Sequence, residues 1–260
     1  MHHDIEPGVY TVDLFNCPPF KMFHWHDCPR AQDILKYKSF EPMSMKLWCE
    51  LVEDAELAVD VGAHVGIYGL AAAAKRPDLE IHAYEPNPDC YARLQLHSNI
   101  NKFDNVKCFR TAIADKNGIT KIGWSNMKGL GYLPSGSQIG DPPPQFGWNE
   151  AYIKAEVLHL PTLEGLIAVK IDVEGAEYIV FRGMIEEAEN RHTLPRPHII
   201  LECFSAENAD RITELTKPLG YEFYLIYEDT MEIVQQDRLI ACDPTGKNFN
   251  QYLKPSCLGV

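Results

Sequence analysis

The sequence lacks the features that mark a membrane-spanning or nucleic-acid-binding chain. It contains no apolar run of about 18 residues, so it predicts no transmembrane helix. Its start lacks the basic region and following apolar stretch of a secretory signal, which favours a cytoplasmic protein. Lys and Arg number only 24 against 37 Asp and Glu, and the formal net charge is -13. Because nucleic-acid backbones and anionic membranes attract clustered positive charge, we expect neither as a partner.

The sequence also lacks paired cysteines and internal repeats. Its eight cysteines are scattered singly, at positions 17, 28, 49, 90, 108, 203, 242 and 257, without a C-x-x-C pair. In a chain of 260 residues this pattern predicts reduced thiols, not a disulfide framework. The length suits one large domain, or one domain with an extension.

Strands and helices alternate along most of the chain. Apolar runs predict five strands, at residues 57–61, 80–85, 106–112, 168–173 and 198–203. Helical patterns lie between them, at 67–75, from Asn87-Pro88 onward and at 176–189. Two later apolar runs, 221–227 and 232–241, predict an antiparallel hairpin because only a short link separates them. The predicted fold class is α/β and Rossmann-like, with a mostly parallel sheet and this C-terminal hairpin.

Two regions depart from the alternation. The first 50 residues are rich in proline, with a strand predicted at 20–25 and a helix at 44–53. Residues 125–150 hold five glycines and four prolines. Since long loops inside compact α/β domains are usually functional, we predict that this one is a lid over the site, with Tyr132 or Trp148 as an apolar wall.

A glycine motif lies where the first of the five strands passes into a helix, Asp60-Val61-Gly62-Ala63-His64-Val65-Gly66. Ligands of open parallel sheets bind at this edge. Gly62 allows a tight turn, Gly66 allows a ligand to approach the backbone, and the helix start offers N–H groups to an anion. Asp60 can face a ligand's ammonium group. His64 is a candidate ligand contact or a packing residue, and a turn that binds nothing is the alternative for the whole motif.

Glu85 ends the second of these strands and is followed by Pro86. A carboxylate at this position can accept hydrogen bonds from both ribose hydroxyls of a nucleotide cofactor, and an exposed strand-end carboxylate is the alternative. The glycine spacing is G-x-x-x-G, not the G-x-G-x-x-G of dinucleotide sites. Pro86 and Ala112, which ends the third strand, complete the candidate cofactor site.

These motifs, together with Tyr84-Glu85-Pro86 and Lys170-Ile171-Asp172-Val173-Glu174-Gly175-Ala176-Glu177, resemble those of the FkbM-type methyltransferases. The resemblance covers roughly residues 40–205. It implies a class I methyltransferase fold, S-adenosylmethionine as the cofactor and, usually, methylation of a hydroxyl oxygen. Asp60, Gly62, Gly66 and Glu85 fall on the family's cofactor motif.

Charged residues follow the fourth and fifth strands, with Lys170, Asp172 and Glu174 at the fourth and Glu202 at the fifth. Neighbouring strand ends share one edge, so we predict these four as the catalytic group. A carboxylate there can orient an acceptor hydroxyl or take its proton. Alternatively, Lys170 and Asp172 form a structural ion pair and Glu174 caps the next helix. Glu177 is predicted to be solvated or to favour the helix dipole.

Metal binding is a further alternative. Two or three of the carboxylates could hold Mg²⁺ or Ca²⁺, which would lower the pKa of a bound hydroxyl. His24, His26 and Cys28 alternate and could bind zinc from one face of a strand, but no fourth ligand is evident. The sequence therefore assigns no residue to a metal site, and a divalent metal remains an option only.

The preferred function is S-adenosylmethionine-dependent methylation of a small-molecule or glycan hydroxyl. An NAD-dependent oxidoreductase is the alternative enzyme, which the glycine spacing and Asp60 disfavour. A non-catalytic protein that keeps the cofactor fold is the other alternative. We divide the chain into an N-terminal extension at 1–50 that could cap the substrate, a methyltransferase domain at 51–245 and a C-terminal tail at 246–260.

Overall fold

The computed structural model describes residues 5–14, 17–25, 28–125, 137–139, 148–193, 195–242 and 250–256. In chain order the elements are β1 (Gly8–Val12), β2 (Phe20–His24), α1 (Pro29–Tyr37), α2 (Pro42–Asp54), β3 (Ala55–Val61), α3 (Ile67–Lys75), β4 (Glu80–Tyr84), α4 (Pro88–Asn101), β5 (Val106–Phe109), β6 (Ala112–Ala114), β7 (Gly118–Ser125), β8 (Ser137–Ile139), β9 (Trp148–Val157), β10 (Leu166–Ile171), α5 (Glu177–Asn190), β11 (His198–Glu202), α6 (Ala206–Thr216), a short 3-10 helix (Lys217–Leu219), β12 (Tyr221–Tyr227), β13 (Glu232–Gln236) and β14 (Asn250–Pro255).

A central sheet of eight strands has the order β13-β12-β14-β11-β10-β3-β4-β5. The five strands from β11 to β5 are parallel to one another, so their carboxyl ends share one edge. In this register Lys170 of β10 lies beside Asp60 of β3. The predicted α/β class with a mostly parallel sheet is therefore confirmed.

Helices cover both faces of this sheet because its central strands are apolar on both sides. Strand residues such as Ala58 and Ile200 pack in one core with buried side chains of α2, α3 and α4. Their neighbours Val59 and Ile199 face the opposite way and pack with α5 and α6. Alternating side chains of one strand thus fill two cores, as expected for a doubly covered sheet.

A second, four-stranded sheet of order β6-β9-β7-β8 was not predicted. The strand predicted over 106–112 is divided between the two sheets. Its first part is β5, which pairs with β4 and ends at Phe109. Its last residue, Ala112, instead begins β6 and pairs with Ala155 of β9. The single apolar run is broken because the chain leaves one sheet for the other at Arg110 and Thr111.

At the C-terminal side the predicted hairpin is confirmed, since β12 and β13 pair in antiparallel fashion. The second strand ends at Gln236, earlier than the run to residue 241 predicts. Residues assigned to the tail contain β14, which lies between β11 and β12 and is antiparallel to both. The tail segment therefore contributes a strand to the central sheet.

At the N-terminal side β1 and β2 form an antiparallel hairpin, of which only β2 was predicted. Helix α2 spans the proposed boundary at residue 50 and packs against α3, so the extension and the domain share one core. Most of the predicted lid, including Tyr132, lies outside the described residues, as does the side chain of Trp148. Within the described ranges, no helix is long and apolar enough to cross a membrane.

Candidate functional site

A cavity of about 360 Å³ opens at the carboxyl edge of the parallel strands. All but one of the predicted site residues line it: Asp60, Gly62, His64, Glu85, Pro86, Ala112, Lys170, Asp172, Glu174 and Glu202. The exception is Gly66. The cavity therefore joins the glycine motif of β3 and the end of β4 to the charged residues that follow β10 and β11.

Gly62 makes the turn at the end of β3 and packs against the end of β10. Its backbone has φ of +83°, in the left-handed region that favours glycine. A Cβ atom at this position would lie 1.7 Å from the carbonyl oxygen of Asp172. The Asp172 N–H in turn donates to the Val61 carbonyl at 2.9 Å. Because Gly62 has no side chain, the backbone of the glycine motif can contact the backbone of Asp172 after β10.

Replacing Gly62 by Ala is expected to destabilise the fold by about 2 to 3 kcal/mol, because it adds a backbone clash to left-handed strain. Gly175→Ala is the matched control, since Gly175 has φ of +101° and open space around its Cβ position. That control should cost about 1 kcal/mol from strain alone. Urea unfolding of both variants measures the difference. Equal losses for the two variants would show that the contact with Asp172 does not require glycine.

Gly66 is packed at the start of α3 and is not among the residues that line the cavity, and its role in the approach of a ligand stays a prediction. It has φ of +92° at the N-cap of α3. A Cβ atom there would lie 2.4 Å from Cδ1 of Leu94, a fully buried residue of α4. The second glycine of the motif therefore allows α3 to begin close to α4. The part of the motif that lines the cavity is the turn from Asp60 to His64.

Glu85 is buried and held in one orientation by the backbone. Its two carboxylate oxygens accept hydrogen bonds from the N–H groups of His64 and Asn87, each at 2.7 Å. Burial raises the pKa of Glu85 to about 7, although these two N–H groups lower it. The alternative of an exposed strand-end carboxylate is wrong, since Glu85 is 5% exposed. Each oxygen keeps a lone pair for a further donor.

Asp60 is buried beneath the glycine turn. Its Oδ2 accepts a hydrogen bond from the N–H of Gly69 in α3 at 3.0 Å. Burial raises the pKa of Asp60 to about 7, against the lowering influence of Lys170. The carboxylate therefore fixes the start of α3 to β3 and adds negative potential to the cavity.

His64 occupies the turn itself, with φ of +51°. Burial lowers the pKa of its imidazole to about 4, so the ring is neutral at pH 7. Its Nε2 is buried and has no hydrogen-bond partner among the described residues. Because His64 lines the cavity, this nitrogen is available to a ligand.

Lys170 is the buried cation of the site, at 1% exposure. Its Nζ lies 3.6 Å from Oδ2 of Asp172 and 5.1 Å from the centre of the Tyr68 ring. Burial alone would lower the pKa of Lys170, but Asp172, Glu41, Glu202 and Asp60 together raise it. The ammonium group therefore stays charged, as both the catalytic interpretation and the ion-pair interpretation require.

The three predicted carboxylates converge on the cavity, but their environments differ. Burial and the charge of Asp172 raise the pKa of Glu174 to about 8 and that of Glu202 to about 9. The Asp172 side chain is 31% exposed and lies beside Lys170. Glu174 has φ of +50° and does not cap α5, whose first residues receive no side-chain cap. The capping alternative for Glu174 is therefore wrong.

Glu177 is buried in the first turn of α5, so the solvated alternative is wrong and the helix-dipole alternative fits its position. One of its oxygens accepts from the N–H of Gly175 at 2.6 Å, and the other accepts from Nδ2 of Asn208 at 2.7 Å. The Asn208 amide also donates to the Gly175 carbonyl. Glu177 and Asn208 of α6 thus hold the backbone of the turn after β10 at Gly175.

Sequence reasoning missed a second set of polar residues, of which Glu41 and Tyr68 line the cavity. Glu41, just before α2, accepts hydrogen bonds on Oε2 from the hydroxyl of Tyr68 at 2.5 Å and from Nδ2 of Asn250 at 2.7 Å. Asn250 of β14 lies opposite Glu202 in the sheet register. Glu41 has φ of +41°. These three residues are far apart in the chain and belong to no local motif, so only the fold could reveal them.

Among the described residues, no group of three or more His, Cys, Asp and Glu side chains is arranged to hold a metal ion. Of the zinc candidates, His24 and Cys28 are buried, and Cys28 accepts the Ala31 N–H at the start of α1. His26 lies outside the described residues.

The chain was compared with known protein families. The methyltransferase FkbM domain matches residues 60–223, from the glycine motif to β12. A methyltransferase of Sordaria araneosa, sdnD, is 26% identical over 159 residues, which cover 50% of this chain and 60% of that protein. The match therefore spans less than two thirds of this relative.

Two solved structures are reported as similar in fold. A SAM-dependent O-methyltransferase from Thermotoga maritima has a TM-score of 0.44 at 10% identity, over 92% of this chain and 74% of that one. TYW2 from M. jannaschii, in complex with AdoMet, has a TM-score of 0.43 at 12% identity, over 95% of this chain and 85% of that one. Because the domain match at residues 60–223 covers more than half of the sequence, the chain belongs to the FkbM methyltransferase family.

Proposed function

We propose that the protein transfers a methyl group from S-adenosylmethionine to a hydroxyl oxygen of a small molecule or glycan in the cytoplasm. The main support for the proposal is that one cavity contains two chemically different halves. The cofactor half contains Gly62 and Glu85, and the acceptor half contains Lys170, Asp172 and Glu202. Family membership supports S-adenosylmethionine as the methyl donor.

The cofactor half suits an adenosyl amino acid. Glu85 is held by two backbone N–H groups and keeps lone pairs for two ribose hydroxyls. Gly62 leaves its position free of a side chain, and Asp60 supplies negative charge for an ammonium group. Pro86 and Ala112 would bound the apolar part of the pocket. When bound, S-adenosylmethionine supplies an electrophilic methyl group on its sulfonium.

In the acceptor half, the chain's own groups would position a hydroxyl and hold its proton. With pKa values of about 8 and 9, Glu174 and Glu202 carry protons at pH 7 in the ligand-free protein, so they are weak candidates for the base. We assign the base to Asp172, which accepts the proton of the acceptor hydroxyl on a carboxylate oxygen. The ammonium of Lys170, 3.6 Å from Asp172, would bind the acceptor oxygen as negative charge grows on it.

An NAD-dependent oxidoreductase fits the site less well. The carboxylate of Asp60 is buried below the glycine turn, where a dinucleotide would place its pyrophosphate. Two negative groups there would repel one another. A non-catalytic protein would have no need for Lys170 buried among four acidic residues beside the cofactor half, which is costly to fold.

The cofactor proposal predicts that S-adenosylhomocysteine, the demethylated product, binds the wild-type protein and NAD does not. Binding to the folded state stabilises it by mass action, by about 2.7 kcal/mol at a hundredfold excess over the dissociation constant. Isothermal titration calorimetry measures both affinities, and the melting temperature provides the second measurement. Binding of NAD without binding of S-adenosylhomocysteine would contradict the methyltransferase function.

A further inference from the structure

We propose that the acceptor carries a cationic amino group beside the hydroxyl that is methylated, and that Glu174 and Glu202 bind this group. The inference rests on the proposed function, because it concerns the acceptor half of the same cavity. It narrows the acceptor from any hydroxyl compound to amino alcohols, the class that contains amino sugars.

The first observation is that the two carboxyl groups face the cavity without donors. No described residue donates a hydrogen bond to the side chain of Glu174 or of Glu202. Both groups carry protons at pH 7 in the ligand-free protein, and a bound cation would favour their ionised forms, which accept hydrogen bonds from its N–H groups. Burial and the neighbouring charge of Asp172 raise the pKa of both groups, and the opposing influence of Lys170, joined by that of Arg30 at Glu174, does not offset them.

The second observation is independent of the carboxylates and concerns Lys170. Its Nζ is buried, lines the cavity and has no hydrogen-bond partner in the part of the chain that the structure describes. The nearest carboxylate oxygen, on Asp172, lies at 3.6 Å, and the ring of Tyr68 covers another side. A buried ammonium without an acceptor is costly, so this side chain also points to a ligand. The Lys170 ammonium group requires a ligand oxygen that accepts its hydrogen bond.

Together the two observations describe a ligand with an oxygen at one end and a cation at the other. Lys170 would donate a hydrogen bond to the hydroxyl oxygen, and Glu174 and Glu202 would surround the ammonium group of the ligand. A single amino alcohol satisfies both requirements. A neutral diol supplies no positive charge that would favour the ionised forms of the two carboxyl groups.

The charge of the whole cavity also favours a cation. Its lining includes six acidic side chains, of Glu41, Asp60, Glu85, Asp172, Glu174 and Glu202, against the basic side chains of Lys170 and Arg30. Arg30 is exposed at the start of α1, where solvent screens its charge. An anionic acceptor would therefore meet repulsion from several sides.

The test uses three small probes of equal length that differ in charge: ethanolamine, ethylene glycol and glycolate. Saturation of the protein with S-adenosylhomocysteine is established first by calorimetry, and each probe is then titrated into that complex by ligand-detected NMR. We expect ethanolamine to bind at least tenfold more tightly than ethylene glycol, and glycolate to bind most weakly. Glu174→Gln and Glu202→Gln should each reduce the preference for ethanolamine, and the double variant should abolish it.

Glu207→Gln is the control, because Glu207 is exposed on α6 and does not line the cavity. It should keep the full preference for ethanolamine. Unchanged affinity for S-adenosylhomocysteine shows that each variant is folded. If the complex binds ethylene glycol or glycolate as tightly as ethanolamine, or does not bind ethanolamine, this inference is wrong while the proposed function stands. Failure of S-adenosylhomocysteine to bind would overturn the proposed function itself, and this inference with it.

Discussion

Glu85→Gln is expected to weaken binding of S-adenosylhomocysteine between about tenfold and a hundredfold, with the fold intact. The substitution keeps the size of the side chain but removes the charge that would bind the ribose hydroxyls. Hydrogen bonds to a charged group contribute about 1.5–3 kcal/mol each, and about 1.4 kcal/mol corresponds to tenfold in affinity. Glu85 is also buried and oriented by the N–H groups of His64 and Asn87, so an amide would fit that cradle less well. Calorimetry measures the affinity directly.

The control for this substitution is Glu80→Gln at the other end of the same strand. Glu80 is half exposed and pairs with Lys107 and His82 at the surface. Its loss should leave the affinity for S-adenosylhomocysteine unchanged. Urea unfolding of both variants separates a loss of binding from a loss of stability. If Glu85→Gln binds as the wild type does, the adenosine moiety must bind elsewhere in the cavity.

The parallel core of the fold could be predicted from the sequence because its signals are local. The strands β3, β4 and β10 are short apolar runs followed by glycine, proline or charged residues, and each was predicted within a few residues. The Asn87 cap of α4 was predicted as well, and its side chain accepts from Asp89 and Cys90. The spacing of apolar residues and the capping of helices are properties of residues close together in the sequence, so no knowledge of the fold is needed to detect them.

The elements that were missed depend on partners distant in the chain. Strand β14 pairs with β11 and β12, and its sequence, Asn250–Pro255, has no alternation that would separate it from a loop. Strands β7 and β9 pair with each other across a segment of glycines and prolines, which hides their connection. Whether such a segment forms a strand depends on the sheet with which it pairs.

The candidate site likewise contains residues with a local sequence signal and residues that only distant contacts bring together. Residues at strand ends, such as Glu85 and Asp172, could be predicted because the edge of a parallel sheet follows from its topology. The contact between Glu41 and Asn250 could not, since the two residues are 209 positions apart in the chain and meet only in the folded protein, where Asn250 donates directly to Glu41. The roles assigned to the predicted residues remain predictions. The structure adds that Gly62 and Asp172 make contact through their backbones.

Replacement of Lys170 by Met is expected to destabilise the protein strongly at high pH and weakly at low pH. Lys170 opposes the charges of Asp60, Asp172, Glu202 and Glu41. Removing one member of a buried charged group costs about 3 to 5 kcal/mol when its partners stay ionised. Because Asp172 is partly exposed, we expect the lower end, about 3 kcal/mol, at pH 8.5. At pH 6 the loss should be markedly smaller, because the carboxyl groups of Asp60 and Glu202 then carry protons.

The direction in which stability changes with pH follows from the pKa values of the buried carboxyl groups. Burial raises the pKa of Asp60 to about 7 and that of Glu202 to about 9, above the values of the unfolded chain. The folded protein therefore binds more protons than the unfolded chain across this range, and its stability falls as the pH rises from 6 to 9. Without Lys170 both pKa values rise further, so the decrease of stability with pH must become steeper.

Urea unfolding at several pH values measures this slope of stability against pH for the wild type and the variant. Lys154→Met, which removes a cation paired with Glu156 at the surface, is the control and should leave the slope unchanged. A slope for Lys170→Met equal to that of the wild type would mean that the carboxylates of the cavity do not depend on this lysine, and its role would then have to be sought in binding alone.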